Sequence, residues 1–539
     1  MPDPVSFEIL KNSLISIAEE MGVVLRKSSF SPNIKERRDF SCSLFDASGQ
    51  LVAQAEHIPV HLGAMPYSVQ AVLKEFEDDF SEGDDIILND PYRGGTHLPD
   101  ITMVSPIFLK ERLIGFAANR AHHSDVGGLA PGSMSALSRD VNQEGIRIPP
   151  IKLWAEGKPN RQLLDFVLTN VRTPEERLGD LRAQRAANLV AAKRLTELLK
   201  KSNVSTVESG MKQLIDYSEE LMIKRIRELP RKSSTAIDYL DDDGLGTTDI
   251  PIKVKVTVGQ DSIAFDFSGS AKQVQGPVNA VYSVTLSAVY YVVRCVTDPS
   301  IPANAGCFKP IQAKAPSGTI VNAKPPAPVA GGNVETSTRV VDVTLKAFSN
   351  IIPESVCAAC QGTMNNVTIG GVDPRTGKYF TYYETIAGGF GARYNKDGID
   401  GIHSHMTNTL NTPVEALESA YPLRVKRYEL VRGSGGRGRF RGGLGIRRET
   451  EILAQGSTIS LMGERQRHGP WGLMEGKSGA PGKYGIARGE KITTLSSKTS
   501  LSANIGDILN VTTPGGGGYG TPSQRASDRI RQDRANGKA

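Results

Sequence analysis

The sequence predicts an α+β fold, multilayered and rich in antiparallel hairpins, on three observations. A helical apolar period opens the chain at Ile9, Leu10, Leu14, Ile17, Ala18, Met21 and Leu25, and apolar residues at that spacing form one face of a helix. Period-two alternation around Ala47-Ser48-Gly49 follows it in FSCSLFDASGQLVAQ, and two strand-like runs flank a charged triplet in ITMVSPIFLKERLIGFAA. Beyond about residue 231 the texture becomes β-rich. At 539 residues the chain is longer than the roughly 250–300 at which one core stops growing. We therefore expect an N-terminal mixed α/β domain over 1–230, a β-rich domain over 231–520 and a polar tail over 521–539.

Each element has a local cause. The amphipathic stretch Phe7 to Arg26 reads as the opening helix. In the first hairpin, Ala47-Ser48-Gly49 makes the turn, the glycine supplying positive φ, and Asp39 stands at the hairpin's entry. In TPEERLGDLRAQRAANLVAAKRLTELLKK, Thr173 is a candidate N-cap, with Pro174 at N1 and Glu176 three residues after the cap, so a long helix should run to Lys200. A second helix is expected over Val207 to Leu229, stopped by Pro230. IPIKVKVTVG and DSIAFDFSGS alternate on either side of Gly259-Gln260 and should pair as a hairpin. The glycine runs RGSGGRGRFRGGLG and TPGGGGYG suggest tight turns between short strands, or backbone lying close to a ligand or partner.

Composition narrows the function classes. Hydrophobic residues at 39% and charged residues at 23% are ordinary globular usage, which excludes a disordered chain and a coiled coil. A net charge of +6 is too small at this length to argue for nucleic acid or a membrane surface. Five scattered cysteines (Cys42, Cys295, Cys307, Cys357, Cys360) do not make a disulfide framework, and the first residues lack a signal-peptide pattern, so a cytoplasmic location is expected.

The densest chemistry lies in NDPYRGGTHLPDITMVSPIFLKERLIGFAANRAHHSDVGG, from Asn89 to Gly128. Two strand-like runs flank Lys110-Glu111-Arg112 and should fold back on each other. With the turn at Glu111, paired positions sum to about 222, so Asp100 faces His122. Directly opposed residues have Cβ atoms roughly 5 Å apart, close enough to share an ion. His97, across Leu98-Pro99, can curl over the same end of the hairpin because proline blocks a helical path.

A single histidine is more often a strand cap or a carbonyl partner than a ligand. Here five of the eight histidines (His57, His61, His97, His122, His123) fall within residues 57–123, flanked by Asp39, Asp90, Asp100 and Asp125, and the clustering favours a metal reading. Nitrogen and oxygen donors with open positions suit catalytic zinc or manganese. His123 should face away from His122. Pro59 interrupts any helical pairing of His57 with His61, leaving His61 as a possible loop donor.

The strings RRDFSCSLFD, AEHIPVHLGAMP, NDPYRGGTHLPD, ANRAHHSDVGG, IDYLDDDG, FDFSGSAKQVQGPVN, GGNVETSTRVVD and RGGLGIRRE occur in order along most of the chain. They resemble the hydantoinase B, 5-oxoprolinase and acetone carboxylase α-subunit family. The resemblance implies a metal set at His97, Asp100 and His122, with Asp39 as a further ligand or proton-transfer group, and catalytic roles for Asp39, Asp100 and His122. It implies a divalent metal, a hydantoinase A-type ATPase partner that phosphorylates a cyclic amide, and an A2B2-type hetero-oligomer. A phosphorylated amide would be far more electrophilic than the resonance-stabilised ring. The chain has no G-x-x-x-x-G-K-[ST] sequence, consistent with ATP being handled by the partner. The alternative within the resemblance is an acetone-carboxylase-like α subunit that carboxylates an activated ketone at the same metal.

Weaker signals remain. Cys357-Ala-Ala-Cys360 is a lone C-x-x-C, read as two buried free thiols. Asp241-Asp242-Asp243-Gly244 lacks the ligand period of a calcium loop and reads as a solvated turn. The arginine-glycine run Arg432 to Arg448 is short and strand-flanked, which argues against RNA and for contact with a partner or phosphorylated substrate. His403 and His405 either share a strand face near the substrate or belong to an interior polar loop.

Overall fold

The N-terminal half is built on a seven-stranded antiparallel sheet in a computed structural model that describes residues 4–55, 58–77 and 79–538. Its strands are β1 (Phe40–Asp46), β2 (Leu51–Gln54), β3 (Asp85–Leu88), β4 (Asp100–Leu109), β5 (Arg112–His122), β6 (Ile151–Ala155) and β7 (Lys158–Pro159), in the order β2-β1-β5-β4-β3-β6-β7. The first hairpin turns where expected, with Gly49 at φ +75°. The β4–β5 hairpin pairs Asp100 with His122 and continues to Ile107 opposite Gly115. There a bulge intervenes, and the turn is the two-residue Lys110-Glu111 with Lys110 at φ +58°. The extra residue restores at the site end the register that a turn centred on Glu111 would have set.

Alternation assigns the sheet its two faces. Phe40, Cys42, Leu44, Ala117 and Ala121 pack on helices Pro4–Ser28, Pro174–Ser202 and Val204–Glu228. Phe45, Phe116 and Ala118 join the opposite core with helices Ala64–Phe76 and Tyr282–Val296. Thr173 does occupy the N-cap position of the long helix, but its hydroxyl makes no capping bond. Glu176 instead accepts from Ser124 and Arg177, which leaves the expected capping box unformed.

The expected α+β class stands, with three further sheets beyond residue 231. Strands Ser233–Asp242, Thr248–Val258, Ile263–Asp266 and Ile311–Lys314 form one, including the predicted hairpin around Gly259, and two more close the C-terminal region. Two helices that alternation did not announce, Tyr282–Val296 and Ser337–Phe348, lie inside this region. They are buried on nearly every side; the first has little polar face to reveal a helical period, while the second does carry one, at Arg339, Asp342 and Lys346. The largest core draws on side chains from Phe45 to Met462, and thus on both sides of residue 230.

Three local expectations change. Asp241 and Asp243 are buried, not solvated. Asp241 accepts the N–H groups of Gln466, Arg467 and His468, and Asp243 those of Leu245, Thr247 and Gly276. Beyond a turn at Arg432-Gly433 between two strands, the glycine runs lie side by side as hydrogen-bonded backbone: Gly443 N–H to Phe390 O at 2.8 Å, Gly516 N–H to Gly443 O at 2.9 Å, Gly515 N–H to Ala480 O at 3.1 Å. Main chains can approach this closely only where no Cβ intervenes. The last residues form a helix, Ser527–Ala535, tethered by Arg525 to Asp397 at 2.7 Å and by Lys538 to Asp400 at 2.8 Å. Among the described residues no helix is long and apolar enough to cross a membrane.

Candidate metal centre

Adjacent strands of the sheet converge on one point at their ends. Asp100 opens β4, His122 closes β5 beside it, and Asp39 immediately precedes β1 on the other side of β5. The backbone stitches these ends together: His122 N–H donates to Asp39 O at 3.0 Å, His123 N–H to Pro99 O at 2.9 Å, and Asp100 N–H to His97 O at 3.1 Å. The last of these bonds closes the tight turn through Leu98-Pro99 that carries His97 over the hairpin end.

The side chains gather around one carboxylate. Asp100 Oδ1 lies 3.2 Å from His122 Nδ1, and its Oδ2 lies 3.2 Å from His97 Nδ1 and 3.4 Å from His61 Nε2. Thr96 Oγ1 donates to Oδ2 at 3.0 Å and Asn333 Nδ2 at 3.4 Å. All of these groups are buried. One donor atom from each of His97, Asp100 and His122 falls within 4.8 Å of the others. Neither ring nitrogen of His97, nor Nε2 of His122, makes a well-directed hydrogen bond. Buried polar atoms without partners are rare enough to require an explanation, and a shared cation supplies one.

Charge states agree with such a donor set. Burial alone would raise the Asp100 carboxyl, but His97, with hydrogen bonds from His122 and His61, outweighs it and holds Asp100 well below the usual carboxylate range. Burial pushes His61 and His122 down despite Asp100. An ionised carboxylate beside the imidazoles of His61 and His122, which burial biases towards the neutral form, presents lone pairs, which is what a divalent ion requires.

The remaining predicted residues separate clearly. Asp39 lines the small cavity over this centre together with Asp100, His122 and His61, but it is not one of the three clustered donors. Its Oδ2 lies 3.8 Å from Arg37. His123 faces away, donating Nε2–H to Gln184 Oε1 at 3.0 Å. His57 lies outside the described residues. Asp90 pairs with Arg147, and Asp125 holds Arg172 and the Gly127 and Gly132 amides. His403, half-buried, and His405, buried, lie in an irregular segment rather than on a strand.

Several site residues were not foreseen. His61, weighed only as a loop donor, ends the one-turn helix Pro59–His61 and is oriented by Ser41 Oγ, 2.8 Å from its Nδ1. Tyr383 stacks on His122 with ring centroids 4.6 Å apart, and Arg37 lies over the Tyr383 ring at 4.8 Å. Asn333 comes from a π-helical turn, Gly332–Thr336, a distortion that often marks functional sites. The histidine in AEHIPVHLGAMP was a usable signal for His61; Tyr383 and Asn333 had none, because only the fold brings them here.

Buried imidazoles around a carboxylate, beneath a cavity at the end of a central hairpin, define a candidate metal-centred active site on a mixed α/β scaffold. The chain belongs to the Hydantoinase B/oxoprolinase family, whose profile matches residues 3–522. It is 45% identical over 535 residues to an uncharacterized protein of Methanocaldococcus jannaschii, covering 98% of this chain and 93% of that one. It is 38% identical over 546 residues to 5-oxoprolinase 1 of Arabidopsis thaliana; there it covers 96% of this chain but only 42% of the relative's length. Among solved structures, the ATP-dependent caprolactamase from Pseudomonas jessenii superposes with a TM-score of 0.93 at 28% identity, over 99% of this chain and 94% of that one. Acetone carboxylase superposes with a TM-score of 0.93 at 20% identity, over 99% and 78%, a likeness of fold.

Proposed function

We propose that this chain is the ring-opening component of an ATP-dependent cyclic-amide hydrolase, working with a hydantoinase A-type ATPase that phosphorylates the amide oxygen. The observation that carries the reading is the set of unpartnered, buried nitrogens of His97 and His122 around the ionised Asp100. Family membership and the caprolactamase likeness support it. His97, Asp100 and His122 would hold a zinc or manganese ion, which when bound supplies Lewis acidity and lowers the pKa of water.

The chain's own residues do the rest. His61, pinned by Ser41, keeps Asp100 oriented. Tyr383, packed flat on His122, excludes water from that side of the ring. Asp39, at the cavity wall and outside the clustered donors, takes a proton from the incoming water as it adds to the phosphorylated ring carbon. It returns that proton to the ring nitrogen and relays the proton left on the added hydroxyl to the same nitrogen as the C–N bond breaks, leaving an amine and an acyl phosphate that a second water converts to carboxylate and inorganic phosphate. Holding water, carbon and base in one small cavity supplies the proximity that such a step needs.

The test is to co-purify the chain with its ATPase partner and assay ATP-dependent opening of 5-oxoproline, hydantoin and caprolactam, alongside bicarbonate incorporation into acetone. Ring opening of at least one lactam, lost in Asp39→Asn, is expected. Bicarbonate fixation without ring opening would overturn the reading in favour of a carboxylase.

A further inference from the structure

A second group of metal-ligating side chains stands apart from Asp100. Cys357 and Cys360 lie in the irregular segment between helix Ser337–Phe348 and strand Asn366–Val372. His405 reaches them from a distant loop. One sulfur from each cysteine and one ring nitrogen of His405 all lie within 4.8 Å of one another, and all three residues are buried. The C-x-x-C pair, read from sequence as two buried free thiols, thus has a third donor that no local spacing could reveal.

The surroundings are built for a ligand rather than for packing. His405 adopts left-handed backbone at φ +59°, an uncommon conformation for a residue with a side chain. Neither of its ring nitrogens has a hydrogen-bond partner, nor does Asp342 Oδ1, which stands 3.4 Å from His405 Nε2. Cys360 Sγ accepts the Gly391 N–H at 3.3 Å, a contact suited to a thiolate. The rings of Tyr291 and Phe390 flank His405, with centroids 5.9 Å from its own. Leaving this many buried polar atoms unsatisfied is costly.

We propose that Cys357, Cys360 and His405 bind a thiophilic divalent ion of the zinc type, with Asp342 orienting the imidazole. Two thiolates and an imidazole select zinc over hard cations, whereas the nitrogen and oxygen donors around Asp100 do not. A carboxylate behind the histidine is the usual support for such a ligand, and Asp342 is itself anchored through Oδ2 to Arg465 at 2.5 Å. The position gives the ion a role. Met364, just beyond Cys360, and Met406 and Thr407, next to His405, all line the cavity over Asp100. An ion at this second site ties together two chain segments that wall the first.

The experiment uses the full chain, stripped of metal under reducing, anaerobic conditions and reloaded with cobalt(II) or zinc. Wild-type protein with cobalt should show thiolate-to-cobalt charge-transfer absorption in the near ultraviolet. That band should fall to background in Cys357→Ser and Cys360→Ser and persist in Asp100→Asn, which alters only the first centre. Without any variant, zinc should slow alkylation of Cys357 and Cys360 in the wild-type chain at least tenfold, as read by peptide mass spectrometry. Absence of the band in wild type, equal alkylation with and without zinc, or a Cys357–Cys360 disulfide in the anaerobically isolated protein would each overturn the proposal.

Discussion

Gly479→Ala tests whether the glycine runs are internal backbone packing rather than a docking surface. Gly479 has no positive φ to lose. An added Cβ would stand 2.5 Å from Gly515 O, 2.7 Å from Gly515 C and 2.7 Å from Gly516 O, closer than the 3.0 Å that real Cβ atoms respect. The neighbours are main chain, so the 514–516 segment must retreat by roughly half an ångström or more. Overpacking by one methyl costs about 1–3 kcal/mol. Weakening one of the bonds from Gly515 N–H to Ala480 O or from Gly436 N–H to Gly516 O adds about 1 kcal/mol, for a total of about 3 kcal/mol. At an unfolding entropy of about 2.1 cal/mol/K per residue, 539 residues lower Tm by about 1 °C per kcal/mol, so a drop of about 3 °C is expected by calorimetry. Gly433→Ala is the control: it has φ +70° and open space around it, so it suffers only the left-handed penalty of about 1 kcal/mol. Equal Tm drops in the two variants, or a smaller one in Gly479→Ala, would refute the packing argument.

Asp100→Asn removes the charge that the surrounding imidazoles address. Metal retention should fall by more than tenfold and turnover by about a thousandfold, given that Lewis-acid assistance is worth several kcal/mol, while circular dichroism stays unchanged. Full metal content with normal turnover would count against the centre. Burial raises the Glu144 carboxyl to about 8, against the Val329 and Ala330 N–H groups that it accepts. The folded chain therefore keeps a proton there that the unfolded chain releases above its ordinary value, so this contribution to stability is full below about pH 4.5 and is lost as pH rises towards 8. Urea midpoints between pH 5 and 8 should fall more steeply for wild type than for Glu144→Gln; parallel curves would contradict this. Lys110→Gly relieves the left-handed residue in the β4–β5 turn and should stabilise by up to about 1 kcal/mol with activity unchanged, as a denaturation curve and the same lactam assay would show.

How far the site could be read in advance depended on chain distance. The pairing of Asp100 with His122 was legible because a tight turn leaves few registers, although the true turn is one residue shorter and a bulge makes up the difference. His97 was legible because proline constrains the three residues before Asp100. His61 and Tyr383 were not placed, because their positions depend on how separate loops pack over the sheet end. The Asp241–Asp243 run misled for a related reason: charge density reads as exposure until backbone N–H groups from residues 466–468 are found to bury it.

By itself, then, the sequence determined the class of fold, the central hairpin and the identity of one carboxylate–histidine pair, since periodicity and short turns are local and steric rules leave them few alternatives. Tertiary structure alone decided which histidines share Asp100, that Asp39 stands at the cavity wall, and that two cysteines meet His405. Those contacts join residues up to hundreds of positions apart, and although alternation and glycine runs mark which faces and segments can pack, local spacing does not say which of them meet.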